Sequence, residues 1–141
     1  MSELKFHPLR PFDESFFKTA NLRVSVPMVA KCSPEQLMAT LAADSIWTEW
    51  APMLKRVEWT SERGLNATRT VYLAGNQAVK EVFFIWKENQ QVAFYVDEAT
   101  INGIEAFGEN YEISVLPDGR TQLIWTVAIE VSGIGKLFIP V

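Results

Sequence analysis

Residues Ile104 to Val131 read IEAFGENYEISVLPDGRTQLIWTVAIEV, two alternating runs around the turn pair Asp118-Gly119, which is the pattern of an antiparallel hairpin. In the second run Leu123, Trp125, Val127, Ile129 and Val131 share one side, and Thr126 and Glu130 take the other. Period two therefore turns the odd positions toward a core. In the first run the same parity gathers Phe107, Tyr111, Ile113 and Val115, and it places Glu109 among them.

Working outward, strands are expected over 54–60, 67–73, 79–87 and 91–97, separated by turn residues at Gly64 to Asn66, Gly75 to Gln77, Asn89 to Gln90 and Asn102 to Gly103. Leu22 to Ala30 also alternates, with Pro27 marking an edge or a bulge. Between this run and the rest lies a helix start: Ser33 as cap, Pro34 at the first position, Gln36 completing a capping box, and Leu37, Met38, Leu41 and Ala42 as the buried face. Asp44 and Ser45 begin a second short helix carrying Ile46, Trp47 and Trp50, stopped by Pro52. The expectation is an α+β fold: a curved, seven-stranded antiparallel sheet with a short helix pair after its first strand, joined by hairpin-length links. Residues 1–20 form an extension in which Phe12, Phe16, Phe17 and Ala20 have helical spacing after Pro11, so a short docking helix is expected there. Residues 21–141 then make one ligand-binding domain.

The 141 residues suit a single domain, and 48% apolar with 21% charged residues is a globular composition. Seventeen acids against 13 bases, a net charge of -4, argue against nucleic acid as a partner. Cys32 stands alone, excluding an internal disulfide, and with the single His7 it excludes a Cys/His zinc site. Cys32 itself reads as a plain packed cysteine. The N-terminal MSELKFHPLRPF carries charges and prolines where a signal peptide needs an unbroken apolar stretch, so it is not expected to act as one, and no run approaches the ~18 apolar residues of a spanning helix. These readings lead to the expectation of a cytoplasmic protein with no membrane insertion, no metal and no cofactor. Glycine-rich phosphate loops and the G-x-S-x-G elbow are absent, and His7 lies beside Pro8 in the extension.

What remains unusual is ring content, 12% aromatic with five Trp and nine Phe, which predicts a core or a pocket lined by rings. The proposed lining takes Val71 with Leu73, Phe83, Phe94 with Val96, Phe107, Tyr111 and Trp125, and sets Trp50 with Met53 at the mouth. Val79, Phe83 and Ile85 share a face with Glu81, although Val82, Phe84 and Trp86 make the opposite face nearly as apolar. Two carboxylates among rings, Glu81 and Glu109, are the chemical hint, since perturbed acids gather at working sites. The commoner alternative is a salt bridge from them to Arg69 or Lys80 at the wet end of the cavity, or a facing that is off by one residue. One intervening strand would put the two acids about 10 Å apart, too far to share a proton and close enough for a ligand to bridge.

The order of elements, with Ser33-Pro34-Glu35, Trp47-x-x-Trp50-x-Pro52, Val57-Glu58-Trp59, the strand from Glu81 to Trp86, Phe107-x-Glu109-x-Tyr111 and Thr121-x-Leu123-x-Trp125-Thr126, resembles the SRPBCC superfamily. These are the START-like, helix-grip proteins that include polyketide cyclase-like domains. The resemblance covers about residues 21–135. It implies a helix-grip fold, a sheet holding a long C-terminal helix over a hydrophobic cavity. It also implies binding of lipids, hormones, polyketides or quinones, with a minority of members catalysing cyclisation or dehydration. Glu81 falls where hormone-binding relatives place a cavity carboxylate, after a gate loop that here reads Ala74-Gly75-Asn76-Gln77. One departure is that only Lys136 to Val141 follow Gly135, about 9 Å of helix, so the gripping helix is expected to be truncated or absent. The extension around Phe16, a second subunit in a homodimer, or residues beyond this sequence would then have to cover the sheet.

Three functions follow from these expectations. The first is binding or carriage of a small hydrophobic ligand such as a lipid, polyketide or quinone-like molecule. The second is a cyclase or dehydratase with Glu81 or Glu109 as base and Tyr111 or Tyr72 as donor. The third is a protein-interaction module whose open groove accepts a partner.

Overall fold

The computed structural model describes residues 4–43 and 51–132. Its strands are β1 (His7–Pro8), β2 (Leu22–Ala30), β3 (Leu54–Trp59), β4 (Thr68–Leu73), β5 (Gln77–Lys87), β6 (Gln91–Ala99), β7 (Ile104–Val115) and β8 (Thr121–Val131), with helices α1 (Phe16–Thr19) and α2 (Pro34–Leu41). All pairings are antiparallel, and the sheet runs β2-β8-β7-β6-β5-β4-β3, so β3 to β8 form a meander and β2 closes the far side against β8. The seven expected strands are present. An eighth, β1, pairs with the C-terminal end of β6. Among the described residues no helix follows β8, and the expected second helix carrying Trp47 and Trp50 falls outside them.

Local chemistry accounts for the punctuation. Ser33 Oγ accepts from the Gln36 N–H (3.1 Å), and Gln36 Oε1 accepts from the Ser33 N–H (2.9 Å), the reciprocal capping box, with Pro34 opening α2. The β4–β5 link turns on Gly75 and Asn76 with φ of 79° and 59°, left-handed at both central positions as a tight hairpin prefers.

The sheet has two occupied faces. On the inner face Leu37 and Met38 of α2 pack with Phe83, Val92, Phe94, Val96, Tyr111, Ile113 and Leu123. On the outer face Phe16, Phe17 and Ala20 pack with Ala93, Ala106 and Ala128, joined by Phe12 and Phe84. The part of the extension around Phe12, Phe16 and Phe17 therefore packs on the outer face and not over the inner one, one of the three coverings expected for it, while Leu9 joins the inner cluster. Its helix is also shorter than expected: Pro11 does not start it, and a single turn begins after Ser15. Small residues make the seat on the outer face. A Cβ on Gly108 would lie 2.3 Å from Phe12 Cζ and 2.4 Å from the Phe94 carbonyl oxygen, so only glycine admits the Phe12 ring there. Gln91 Nε2 then ties the segment down by donating to Glu14 Oε2 (2.7 Å) and Asn110 Oδ1 (2.9 Å).

A bulge corrects one expected face. Phe83 pairs with Phe94 but Ile85 with Ala93, so Phe84 is an extra residue; Ile85 moves to the outer cluster and Trp86 moves inward. A second irregularity, where Lys80 pairs with Glu98 but Glu81 with Val96, leaves Asp97 over and keeps Glu81 on the inner face. At the edge, β2 shows Val24 62% and Val26 40% exposed, opposite Val127 and Trp125 on β8.

Candidate functional site

The inner face holds a cavity of about 170 Å³. Apolar walls come from Val57 of β3, Val71 of β4, Phe94 of β6 and Trp125 of β8, with Ala51, Met53 and Leu54 along the rim. Met53, 62% exposed, lies at the open side. Arg69, Glu81, Glu109 and Tyr111 complete the lining and concentrate its polarity.

Strand order explains why these four meet. Arg69 and Glu81 are cross-strand partners on β4 and β5, Glu81 neighbours Val96 on β6, and Phe94 faces Glu109 on β7. Tyr111 follows Glu109 by two residues and pairs with Trp125, their rings stacked at 6.1 Å and 9°. The four lie on the inner face, on β4, β5 and β7.

Two polar clusters result. In the first, Arg69 Nε donates to Glu81 Oε1 at 2.8 Å and Nη2 stands 2.6 Å from the same oxygen as an ion pair, with each side chain 6% exposed. The guanidinium also stands 5.2, 5.0 and 5.7 Å from the ring centroids of Trp59, Phe83 and Phe94, a cation boxed by aromatic faces. Burial pushes the Glu81 carboxyl up to about 7; Arg69 draws it down, and the Glu109 charge adds to the rise. In the second cluster, Glu109 Oε1 accepts from the Tyr111 hydroxyl (2.5 Å) and from Trp125 Nε1 (2.8 Å). Burial raises the Glu109 carboxyl as well, against the lowering effect of those two bonds and of Arg69. The Tyr111 hydroxyl is pushed well up by burial and then by its carboxylate neighbours, so it stays a neutral donor.

Of the residues expected to line a site, Met53, Val71, Glu81, Phe94, Glu109, Tyr111 and Trp125 are brought together. Leu73, Phe83, Val96 and Phe107 lie off the cavity: Leu73 sits at the β4–β5 turn, while Phe83, Val96 and Phe107 pack into the inner core. Trp50 falls outside the described residues. Tyr72, offered as a donor, points to the opposite face from Val71, with the Arg56 guanidinium 4.1 Å from its ring. Lys80 pairs with Glu98 and not with Glu81. The expected salt bridge to Arg69 is present, buried and not at a wet end. Ala51, Leu54, Val57 and Arg69 are lining residues that strand parity did not select; for Arg69 the signal was its parity with Val71, which a charged residue on an apolar face obscured. The expected gate, residues 74–77, contributes nothing to the cavity wall.

Among the described residues no cluster of three or more His, Cys, Asp or Glu side chains could hold a metal ion, and no helix is long and apolar enough to cross a membrane.

Comparison with known proteins gives a consistent picture. Residues 21–140 match the family described as polyketide cyclase / dehydrase and lipid transport, a range that begins where the outer-face segment ends. An uncharacterized protein of Mycobacterium tuberculosis is 31% identical over 129 residues, 90% of this chain and 77% of that protein. Among solved structures, a START superfamily protein from Mycobacterium smegmatis superposes with a TM-score of 0.64 at 16% identity, covering 84% of this chain and 81% of the other. The Zhui aromatase/cyclase from Streptomyces does so with a TM-score of 0.65 at 14% identity, covering 79% and 69%. At these identities the two superpositions establish the fold, a START-like helix-grip architecture.

Proposed function

We propose that this chain, which belongs to the polyketide cyclase / dehydrase and lipid transport family, binds a small hydrophobic molecule in its inner-face cavity. The observation that carries the reading is a greasy recess with a polar end. Val57, Val71, Phe94 and Trp125 line a space that also meets Arg69, Glu81, Glu109 and Tyr111. Recognition sites for small molecules have this composition: apolar walls supply burial at about 25 cal/mol per Å², and a few fixed polar groups set orientation. About 170 Å³ is comparable to the ~150 Å³ hollow that holds one benzene-sized guest. A longer ligand therefore inserts one end and leaves the rest at the open side by Met53.

Native mass spectrometry of freshly purified protein, with tryptophan quenching on titration of ring-bearing lipids, polyketides and quinones, tests the reading. Retained mass or saturable quenching of Trp125 is expected. A protein that carries nothing and shows no quenching across the panel overturns it.

A catalytic reading draws support from the Glu109–Tyr111 pair, a carboxylate raised by burial beside a neutral hydroxyl donor, and from the aromatase/cyclase among the superposing structures. In that reading Glu109 is the base and Tyr111 faces a developing enolate oxygen. Glu81 is the poorer base, since its Oε1 already accepts from Arg69 Nε and is ion-paired with Nη2. Loss of about 10² or more in turnover of a polyketide substrate by Glu109→Gln, with binding retained, would establish it; equal turnover would remove Glu109 from the chemistry.

A further inference from the structure

The polar end of the cavity also selects among ligand head groups. Among the described residues Arg69 is the one cation lining the cavity, and it is committed: its hydrogen bond and its ion pair both go to Glu81, and three aromatic rings stand around its guanidinium. With Glu81 ionised the pair is neutral as a unit. Glu109, by contrast, makes no ion pair, and its partners Tyr111 and Trp125 are neutral donors that both bond to Oε1. Oε2 of Glu109 has no hydrogen-bond partner among the described residues, and the residue lines the cavity.

Among the described residues this arrangement leaves an acceptor unfilled and no positive charge to spare. A carboxylate ligand would bring a second negative charge beside Glu109 in a poorly screened site. A ketone or quinone would set an acceptor against an acceptor. A hydroxyl fills the vacant valence with a charge-assisted bond, the stronger kind. Its ring has the size of the hollow, and its stacking partners are Phe94 and Trp125 on the walls.

We propose that the guest is a neutral aromatic alcohol of the phenol or hydroquinone class, entering past Met53 and donating its O–H to Oε2 of Glu109, with carboxylates and quinones of the same ring system discriminated against. The proposal rests on the reading of the cavity as a ligand site.

Isothermal titration calorimetry of the full chain with 2-naphthol, 2-naphthoate and 1,4-naphthoquinone at neutral pH tests it. We expect 2-naphthol to bind about tenfold or more tightly than either of the others, a difference of about 1.4 kcal/mol. In Glu109→Gln, whose amide both donates and accepts, the preference should fall to about threefold or less. Binding of 2-naphthoate or 1,4-naphthoquinone as tight as that of 2-naphthol overturns the proposal and leaves the cavity reading standing. Undiminished preference in Glu109→Gln overturns the role given to Glu109. Binding by none of the three overturns the cavity reading together with the proposal.

Discussion

Arg69 places two donors on a single oxygen of Glu81, at 2.8 and 2.6 Å, across the β4–β5 pairing and at 6% exposure on either side. The ion pair is a polar floor in a largely apolar core, and its partners compensate each other's lost hydration, together with the aromatic rings around Arg69. Removing one partner strands a buried charge. Arg69→Met or Glu81→Leu alone is expected to lower unfolding free energy by about 3–5 kcal/mol, whereas Arg69→Met combined with Glu81→Leu should recover most of that loss. Urea unfolding of the four proteins measures it, and single variants within about 0.5 kcal/mol of the parent would contradict the assignment.

The same pair sets a pH dependence. Glu81 has its folded pKa raised to about 7 from 4.5, mainly by burial, so between these values the folded chain holds a proton that the unfolded chain has released. The Glu81 contribution to stability is therefore fully present below about pH 4.5 and is lost as pH rises toward 7, by up to about 3 kcal/mol at roughly 1.4 kcal/mol per unit. Glu109 is raised too and acts in the same direction. Urea midpoints from pH 5 to 8 should decline in the parent more steeply than in Glu81→Gln; parallel profiles would remove the effect.

Gly108 carries a steric prediction. Its Cβ-less face admits the Phe12 ring and the Phe94 carbonyl, both nearer than 2.5 Å to where a methyl group would stand. Gly108→Ala should cost about 1–3 kcal/mol by overpacking and loosen the N-terminal segment. Limited trypsin digestion reads this at Arg10 and Lys18, where faster cleavage than in the parent is expected and an unchanged rate would count against it.

That segment is part of the fold. Phe16 and Phe17 are 8% and 6% exposed against the alanine-lined outer face. Phe17→Ala should destabilise by about 3–5 kcal/mol and raise dye binding to exposed apolar surface, while ligand affinity in the stable fraction stays within about threefold. Calorimetry at low temperature separates the two effects.

These particulars also show what a sequence can disclose. Alternation in β7 and β8 placed Glu109, Tyr111 and Trp125 on one face, because a regular strand preserves parity over its whole length. Parity failed at Phe84, where one extra residue reverses every later side chain, and nothing in a run apolar on both faces announces a bulge. The outer-face seat was hidden for a different reason. Ala93, Ala106, Gly108 and Ala128 hardly register as hydrophobic signal, yet their smallness admits Phe12, Phe16 and Phe17. The two-residue β1 lay below the length at which any period can be read. Arg69 escaped selection because the reading sought apolar walls, and a buried cation is recognised only once its carboxylate is seen beside it.

The Trp125 indole N–H, bonded to Glu109 at 2.8 Å on the cavity wall, is the direct reporter for ligand entry. In a heteronuclear NMR titration of the full chain with 2-naphthol, its resonance should shift saturably, together with the backbone signals of Val71, Phe94 and Glu109, while Phe17 and Ala128 on the outer face stay still. Shifts confined to the outer face, or no saturable shift at Trp125 for any ring-bearing ligand, would contradict an inner-face binding site.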